Sequence, residues 1–436
     1  MNYSPAKNLV LFFLGLIIVG TVLLSLPVAH NFNFGSFSFI TNLFTSVSAV
    51  CVTGLSTVNI GEWYSIFGQL IILLLVQFGG MGYMFVSTVV TLLLGSVTLK
   101  DRRIMQDIFD ISSFGSLKKL ILKAFFFVLA TEFTGAVLLT FVFLKDFSFL
   151  KAAYLGIFYS VMAFCNAGFS FFNNSLVEFA NKPILLYVIS FLVIFGRLGF
   201  FVIVDIYDTY KEKRLHFSTH TKVILSMSAI ITFFAFILFL FSDAFRGRGV
   251  FYSINSAFFQ SVGSRTAGFY SMPVTLFSEF TKTLLLFLMS LGSSPASTAG
   301  GVKLTTLALV FVFIRSVLKG DDDFILLKRR VPAESVRRAL AIFIIFFVSI
   351  TFFSTVLVLL ESCLEPFAVV FEVVSAFATA GLSLGITPDL SFAGKILIII
   401  AMISGRIGIL TILIFMLNPA AKRKSIKYPE SKILVG

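Results

Sequence analysis

Residues 366–383 read PFAVVFEVVSAFATAGLS, a short apolar run that ends in a turn of small residues around Gly381. The run, Pro366–Ala378, is too short to cross a bilayer, which takes about 20 helical residues. It lies between two longer apolar runs, Ala339–Leu360 and Ile396–Leu417. This order predicts a re-entrant segment, which enters the membrane, turns and leaves on the same side. Such a backbone is tolerated only when it is buried in protein or faces water.

The same long–short–long order occurs three more times along the chain. The other short runs are Phe37–Val50, Leu150–Phe164 and Val250–Val262. They end in turns that read CVTGLST at Gly54, FCNAGFS at Gly168 and SRTAGFYS at Gly268. The flanking long runs are Leu9–Leu26, Ile66–Leu94, Leu120–Leu144, Ile184–Ile206, Val223–Phe241 and Thr283–Val317. Because the turn glycines recur at intervals of 114, 100 and 113 residues, the chain is built from an internal repeat.

This repeat predicts an all-α integral membrane fold, with four units of membrane helix, pore loop and membrane helix around one central pore. The predicted units are residues 1–100, 101–215, 216–330 and 331–420, and a cytoplasmic tail follows at 421–436. In the third unit the second helix is predicted to be broken. The second long runs of the other three units each carry a Gly-x-x-Gly motif, at Gly79–Gly82, Gly196–Gly199 and Gly405–Gly408.

Composition and charge agree with a membrane protein. Hydrophobic residues make up 58% of the chain and charged residues 13%, too few polar groups to cover a soluble domain. Of the 34 basic residues, 23 lie at Lys7 and in five segments on alternate connections. A nucleic-acid-binding surface does not require this alternation, so the positive net charge does not indicate such a surface. Under the positive-inside rule, these segments and both termini are predicted to be cytoplasmic. We therefore expect a multi-pass protein in contact with lipid and with no nucleic-acid partner.

The four glycine turns have the chemistry of a cation filter. A dehydrated cation needs oxygen ligands, and rings of backbone carbonyls supply them in potassium filters. Glycine allows the chain to turn sharply at a helix end, and each short helix directs its partly negative C-terminus toward the cavity. We predict that K⁺ binds to backbone carbonyls of Thr53, Gly54, Asn166, Ala167, Gly168, Thr266, Ala267, Gly268, Thr379, Ala380 and Gly381. The side chains of Thr53, Asn166, Thr266 and Thr379 either line the pore or satisfy local backbone groups.

A gate is predicted where the third unit is interrupted by GSSPASTAGGVKLTT, residues 292–306. A stretch this polar and rich in glycine is either a kink or a loop within the membrane, whose backbone must be buried or wet. Arg406 is a charged residue in an apolar run, so it either repels cations or pins helix ends through their carbonyls. The predicted gate residues are Gly292, Ser293, Ser294, Ser297, Thr298, Gly300, Gly301, Lys303 and Arg406.

Three other ionisable residues lie in apolar surroundings. Arg197 stands at the position in the second unit that corresponds to Arg406. Arg265 adjoins the third turn and is expected to pair with a carboxylate such as Glu372. Glu132 is a lone acid within a spanning helix, and we expect it to bond to a neighbouring side chain.

Together these motifs resemble the Trk/Ktr/HKT superfamily of cation transporters. The resemblance rests on the turns VTGL, NAGF, TAGF and TAGL, the SSPASTAGGVKLTT break and SGRIGILT, and the ending YPESKILVG is most similar to the bacterial Ktr membrane subunit. It implies a homodimer in the bacterial cytoplasmic membrane, K⁺ uptake with Na⁺ as a possible coupling ion, no covalently bound cofactor, and control by a cytosolic nucleotide-binding ring. Two basic clusters either set only the orientation in the membrane or dock an acidic or nucleotide-binding partner: Lys328, Arg329 and Arg330, and the segment Lys422–Lys427.

Two alternatives remain open at this point. The first is a Trk-type subunit with a different coupling ion and cytosolic partner. The second is a membrane-embedded enzyme, although the chain has no HExxH and no paired intramembrane carboxylates.

Overall fold

The computed structural model describes residues 5–31, 38–94, 114–408 and 411, and side chains within 7–31, 38–82, 122–408 and 411. Its helices are α1 Pro5–Leu24, α2 Phe39–Val50, α3 Ile60–Trp63, α4 Ile66–Leu94, α5 Phe114–Phe143, α6 Phe149–Cys165, α7 Pro183–Leu198, α8 Phe200–Lys211, α9 Thr219–Leu240, α10 Val250–Thr266, α11 Glu279–Ser290, α12 Leu304–Lys319, α13 Ala333–Leu360, α14 Pro366–Ala378 and α15 Phe392–Ile407. A short antiparallel hairpin, β1 Ile325–Leu326 and β2 Arg329–Arg330, joins α12 to α13.

The first helix of every unit is long and apolar enough to cross a membrane. The four spans are Lys7–Leu24, Leu122–Phe143, Thr219–Leu240 and Ala333–Leu360. Much of their surface is apolar and exposed, as lipid-facing helices require, since lipid tails favour apolar side chains. The prediction of an all-α, multi-pass membrane protein is confirmed.

Four shorter helices, which we call the pore helices, follow these spans: α2, α6, α10 and α14. The second helix of each unit packs against the pore helix of the next unit, in the pairs α4 with α6, α7 with α10 and α11 with α14. The last second helix, α15, packs against α2 and so closes the ring. The pore helices are therefore arranged around a common axis, as the repeat predicts, while the exact boundaries of the units stay a prediction.

The second helices of the first three units are interrupted, which corrects one expectation. The apolar runs Ile66–Leu94 and Ile184–Ile206 predicted unbroken helices, but Gly82 has a φ of 76° inside α4, and Gly199, with a φ of 78°, separates α7 from α8. The axes of α7 and α8 differ by 94°. In the fourth unit α15 ends at Gly408, which has a φ of 89°. The last glycine of each Gly-x-x-Gly motif therefore adopts a backbone conformation that side chains disfavour.

Gly199→Ala is expected to destabilise the protein by about 3 kcal/mol, because it combines backbone strain with a collision. An added Cβ would lie 2.6 Å from the Pro295 carbonyl oxygen and 2.7 Å from Ser294 Oγ. Thermal unfolding in detergent measures the loss. Gly247→Ala is the matched control, since Gly247 has a similar φ of 75° and no described atom within 4 Å. Equal losses in the two variants would mean that the contact with Pro295 contributes nothing.

Candidate functional site

Each pore helix ends in a tight turn that brings its glycine to the axis. In three units a left-handed residue terminates the helix: Val52 (φ 57°), Asn166 (φ 61°) and Thr379 (φ 48°). The next amide then donates back to the helix, from Thr53 N to Ser48 O (2.8 Å), Ala167 N to Met162 O (2.9 Å) and Ala380 N to Ser375 O (2.8 Å). These are Schellman turns, which end a helix abruptly. The third unit differs, because α10 continues to Thr266 and Ala267 N donates to Gly263 O at 3.3 Å.

The four turn glycines meet one another, and we call this contact the glycine junction (Gly54, Gly168, Gly268 and Gly381). A Cβ added to Gly54 would lie 2.8 Å from the Gly168 Cα, and one added to Gly168 would lie 2.8 Å from the Gly268 Cα. A Cβ on Gly268 would lie 3.3 Å from the Gly381 Cα. No side chain fits at this junction. The structure therefore brings together residues that are far apart in sequence and that the repeat predicted to meet.

Carbonyl oxygens of the preceding residues lie at the same junction. The oxygen of Ala267 is 3.1 Å from the position of a Cβ on Gly168, and that of Ala380 is 3.0 Å from one on Gly268. The Thr53 oxygen would overlap a Cβ on Gly381. Three carbonyls, each from a different unit, therefore face the glycine of another unit. Partly negative oxygens gathered around one axis can replace the water shell of a monovalent cation.

A cavity of about 360 Å³, which we call the vestibule, adjoins the junction. It is lined by the four glycines and by the segments that follow them, including Thr57, Ser170, Ser383 and Thr387. Sequence reasoning did not select these hydroxyl residues. The signal was available, because a serine or threonine follows each turn glycine within a few residues.

Three of the four side chains that precede the glycines form hydrogen bonds to residues outside the vestibule, although all four were considered as pore-lining groups. Asn166 Nδ2 donates to Thr298 Oγ1 at 3.0 Å. Thr379 Oγ1 accepts from Gly300 N at 3.1 Å, and Thr266 Oγ1 accepts from Arg197 Nε at 3.1 Å. Thr53 Oγ1 is buried and makes no hydrogen bond to the described residues. None of these four side chains lines the vestibule.

The segment Gly292–Lys303, which we call the inner loop, separates α11 from α12. It is a structured loop and not a kink: Gly292 N donates to Val302 O at 2.9 Å, and Leu304 N donates to Ser293 O at 3.0 Å. It is also tied to the second unit, where Arg197 O accepts from Ser294 N and Gly196 O accepts from Thr298 N, both at 3.3 Å. Lys303 Nζ donates to the Ala299 carbonyl at 2.5 Å. These bonds satisfy backbone groups that would otherwise be exposed at membrane depth.

The other predicted loop residues take part in the same local contacts. Ser293 and Ser297 are joined through their hydroxyl groups at 2.5 Å, and Ser297 Oγ donates to Ser294 O at 2.6 Å. Gly301 has a φ of 69°, and a Cβ on it would lie 3.1 Å from the Gly292 Cα. The two ends of the inner loop therefore lie side by side.

Arg406 connects three units through carbonyl oxygens. Its Nη1 donates to Thr298 O in the inner loop, and its Nη2 donates to Gly79 O and, at 3.0 Å, to Gly80 O. Arg406 therefore pins backbone carbonyls, as one of the two interpretations of the sequence expected, and one of them belongs to the inner loop. A guanidinium is well suited to this arrangement, since its planar donors can reach several acceptors at once.

Arg265 does not pair with Glu372, and that prediction is wrong. Arg265 Nη2 donates to Gly292 O at 2.7 Å, at the start of the inner loop. The fully buried Glu372 accepts instead from Ser383 Oγ at 2.7 Å and from Thr387 Oγ1. The reason is that Glu372 faces the segment after its own turn, on the vestibule side, whereas Arg265 faces the loop.

The two remaining intramembrane groups have neutral partners. Arg197 is buried and donates through Nε to Asn166 Oδ1 at 3.0 Å as well as to Thr266. It lies at the C-terminal ends of two pore helices, whose dipoles favour a positive charge. Glu132 accepts from Gln77 Nε2 at 3.0 Å, as expected for a structural acid.

Four re-entrant units whose backbone oxygens converge on one axis define a membrane protein that conducts cations. Comparison with known proteins identifies the family. The TrkH family, described as "Cation transport protein", matches residues 17–426. The chain is 35% identical to the potassium/sodium uptake protein NtpJ of Enterococcus hirae, over 99% of this chain and 97% of that protein. It is 33% identical to the Ktr system potassium uptake protein B of Bacillus subtilis, over 100% and 98%.

The fold is likewise that of a solved transporter. The potassium transporter TrkH from Vibrio parahaemolyticus aligns with a TM-score of 0.74 at 20% identity, covering 95% of this chain and 85% of that one. This chain belongs to the TrkH family of cation transport proteins. It is a transport protein and not an enzyme, which removes the enzyme alternative.

Proposed function

We propose that this chain takes up potassium ions across the bacterial cytoplasmic membrane, with the glycine junction as its selectivity filter. The observation that carries the proposal is the convergence of glycines and carbonyl oxygens from different units. Two relatives that cover the whole chain are named as potassium uptake proteins, which supports K⁺ as the cargo. The filter consists of the turn residues predicted from the sequence, with K⁺ held by backbone oxygens and not by side chains.

The inner loop and Arg406 form the gate in this proposal. The loop lies between α11 and α12, and its bonds to Arg197, Arg265 and Arg406 hold it against the second and fourth units. Such a loop can block the pore in one arrangement and release it in another, if those bonds are exchanged for others.

We further propose that Na⁺ is the coupling ion. The chain is proposed to form a homodimer, and a cytosolic nucleotide-binding ring is its proposed regulator. The name of the NtpJ relative mentions sodium as well as potassium, and two Bacillus subtilis relatives are named as parts of a Ktr system. The similarity to these proteins favours a Ktr-type subunit over a Trk-type one.

Both termini are placed in the cytoplasm by the proposal, together with the hairpin that carries Lys328, Arg329 and Arg330. The other proposed docking cluster, Lys422–Lys427, lies outside the described residues.

Expression in a host that lacks its own potassium systems is expected to restore growth at low potassium. Rubidium uptake by these cells, measured with and without Na⁺, tests the cargo and the coupling ion together. Gly381→Ala is a suitable inactive control, because Gly381 has a φ of 77° and an added Cβ would overlap Thr53 O. If the inserted protein gives no uptake, even beside its cytosolic partner, the potassium proposal is wrong.

A further inference from the structure

Two turns of the proposed filter are hydrogen-bonded directly to the inner loop. In the fourth unit, Thr379 Oγ1 accepts from Gly300 N at 3.1 Å. In the second unit, Asn166 Nδ2 donates to Thr298 Oγ1 at 3.0 Å. Asn166, Thr298 and Thr379 are all at most 1% exposed, so water does not compete for these bonds. Each therefore has to be broken or exchanged when the loop moves.

These bonds act at the residues whose backbone sets the filter turns. Asn166 and Thr379 are the left-handed residues at the ends of α6 and α14. A residue with a Cβ adopts this conformation at a cost of roughly 1–2 kcal/mol. Their side-chain bonds to the loop help to hold them there. The carbonyls of the next residues, Ala167 and Ala380, lie within the proposed filter, so their orientation depends on the same turns.

The first unit lacks this connection, which gives an internal comparison. Its left-handed residue is Val52, which has no polar side chain, and the adjacent Thr53 Oγ1 makes no hydrogen bond to the described residues. The third unit is joined indirectly, since Thr266 accepts from Arg197, whose carbonyl accepts from Ser294 of the loop. Among the described residues, the loop is therefore hydrogen-bonded directly to the turns of the second and fourth units, and not to the turn of the first.

We infer that the inner loop and the filter are coupled, so that moving the loop changes the ion selectivity of the filter through Asn166 and Thr379. This inference rests on the proposed function. In it, Asn166 and Thr379 are positioning residues that act through the backbone and do not touch the ion with their side chains. Two sites that share such bonds affect each other reciprocally, so the ions that occupy the filter also bias the loop.

The test uses the full-length protein in proteoliposomes and the variants Thr379→Val and Thr379→Ser. Valine keeps the shape of threonine but removes the acceptor for Gly300 N, whereas serine retains it. The measured quantity is a ratio of two concentrations. The first is the Na⁺ concentration that halves Rb⁺ uptake, and it is divided by the half-saturating Rb⁺ concentration. We expect Thr379→Val to change this ratio about fivefold, the effect of losing one buried hydrogen bond. Thr379→Ser should stay close to the parent protein.

The same variants in a chain that lacks residues 296–300 separate coupling from local damage. This deletion removes Gly300, so Thr379→Val should then have no further effect on the ratio. Thr53→Val is the matched control. Its effect on the ratio should be the same in the chain with the intact loop and in the chain with the shortened loop. If Thr379→Val does not fold, Thr298→Val and Thr298→Ser carry the test in the chain with the intact loop: Thr298→Val should change the ratio, because it removes the acceptor for Asn166 Nδ2, and Thr298→Ser should not.

The possible failures can be told apart. A parent protein that takes up no Rb⁺ would overturn the proposed function and the coupling with it. If the parent takes up Rb⁺ but Thr379→Val leaves the ratio unchanged, or changes it equally with the loop shortened, then the coupling is wrong and the proposed function stands.

Discussion

Gly168→Ser is expected to raise the half-saturating Rb⁺ concentration about tenfold and to weaken discrimination against Na⁺. A Cβ at this position would lie 2.8 Å from the Gly268 Cα and 3.1 Å from the Ala267 oxygen. Backbone atoms cannot rotate away as a flexible side chain does, so the turns of both units must shift, at a cost of roughly 1–3 kcal/mol for overpacking. A shift at the proposed filter changes the distances between its oxygens, on which selectivity would depend.

Uptake kinetics in proteoliposomes, with Na⁺ as competitor, measure both effects of Gly168→Ser. The matched control is Gly15→Ser, which makes the same change in α1, where no described atom lies within 4 Å of an added Cβ. We expect the control to keep the parent kinetics. Unchanged affinity and selectivity in Gly168→Ser would remove Gly168 from the filter.

The repeat and its turns could be predicted from the sequence because their signals are local. Apolar length separates a spanning helix from a re-entrant one, and a glycine marks the point where the helix stops. The predicted run Pro366–Ala378 coincides with α14, and Phe37–Val50 with α2 within two residues at its start. The break at residues 292–306 was visible for the same reason, since its composition is too polar for a helix in lipid.

The bends at Gly82 and Gly199 were missed because hydropathy does not report backbone dihedral angles. The apolar residues continue through both positions, and glycines are also common where straight membrane helices pack closely. Partners of buried polar groups were equally hard to infer. The pairing of Arg265 with Glu372 followed from opposite charge alone, whereas the structure gives each group neutral partners on opposite sides of the turns.

Removing residues 296–300 and replacing Arg406 by alanine are each expected to raise flux about tenfold or more. Arg406 Nη1 donates to Thr298 O, and hydrogen bonds to charged groups contribute roughly 1.5–3 kcal/mol. Losing that bond weakens the attachment of the loop to the fourth unit, and deleting the segment removes part of the proposed gate. The shortened chain should also depend less on the proposed cytosolic partner. Flux into proteoliposomes measures each effect. Arg248→Ala is the control, since Arg248 lies on the connection before α10 and donates to Tyr252 Oη.

The double variant decides whether Arg406 and the loop form one gate. The deletion takes away Thr298, so Arg406→Ala then has no loop contact left to break, and the combined effect should fall below the sum of the two free-energy changes. Additive effects would mean that the two features control flux independently. Arg406 also donates to Gly79 O and Gly80 O, which join the fourth unit to the first. If both single variants fold and insert normally but conduct less, these residues support the pore and do not close it.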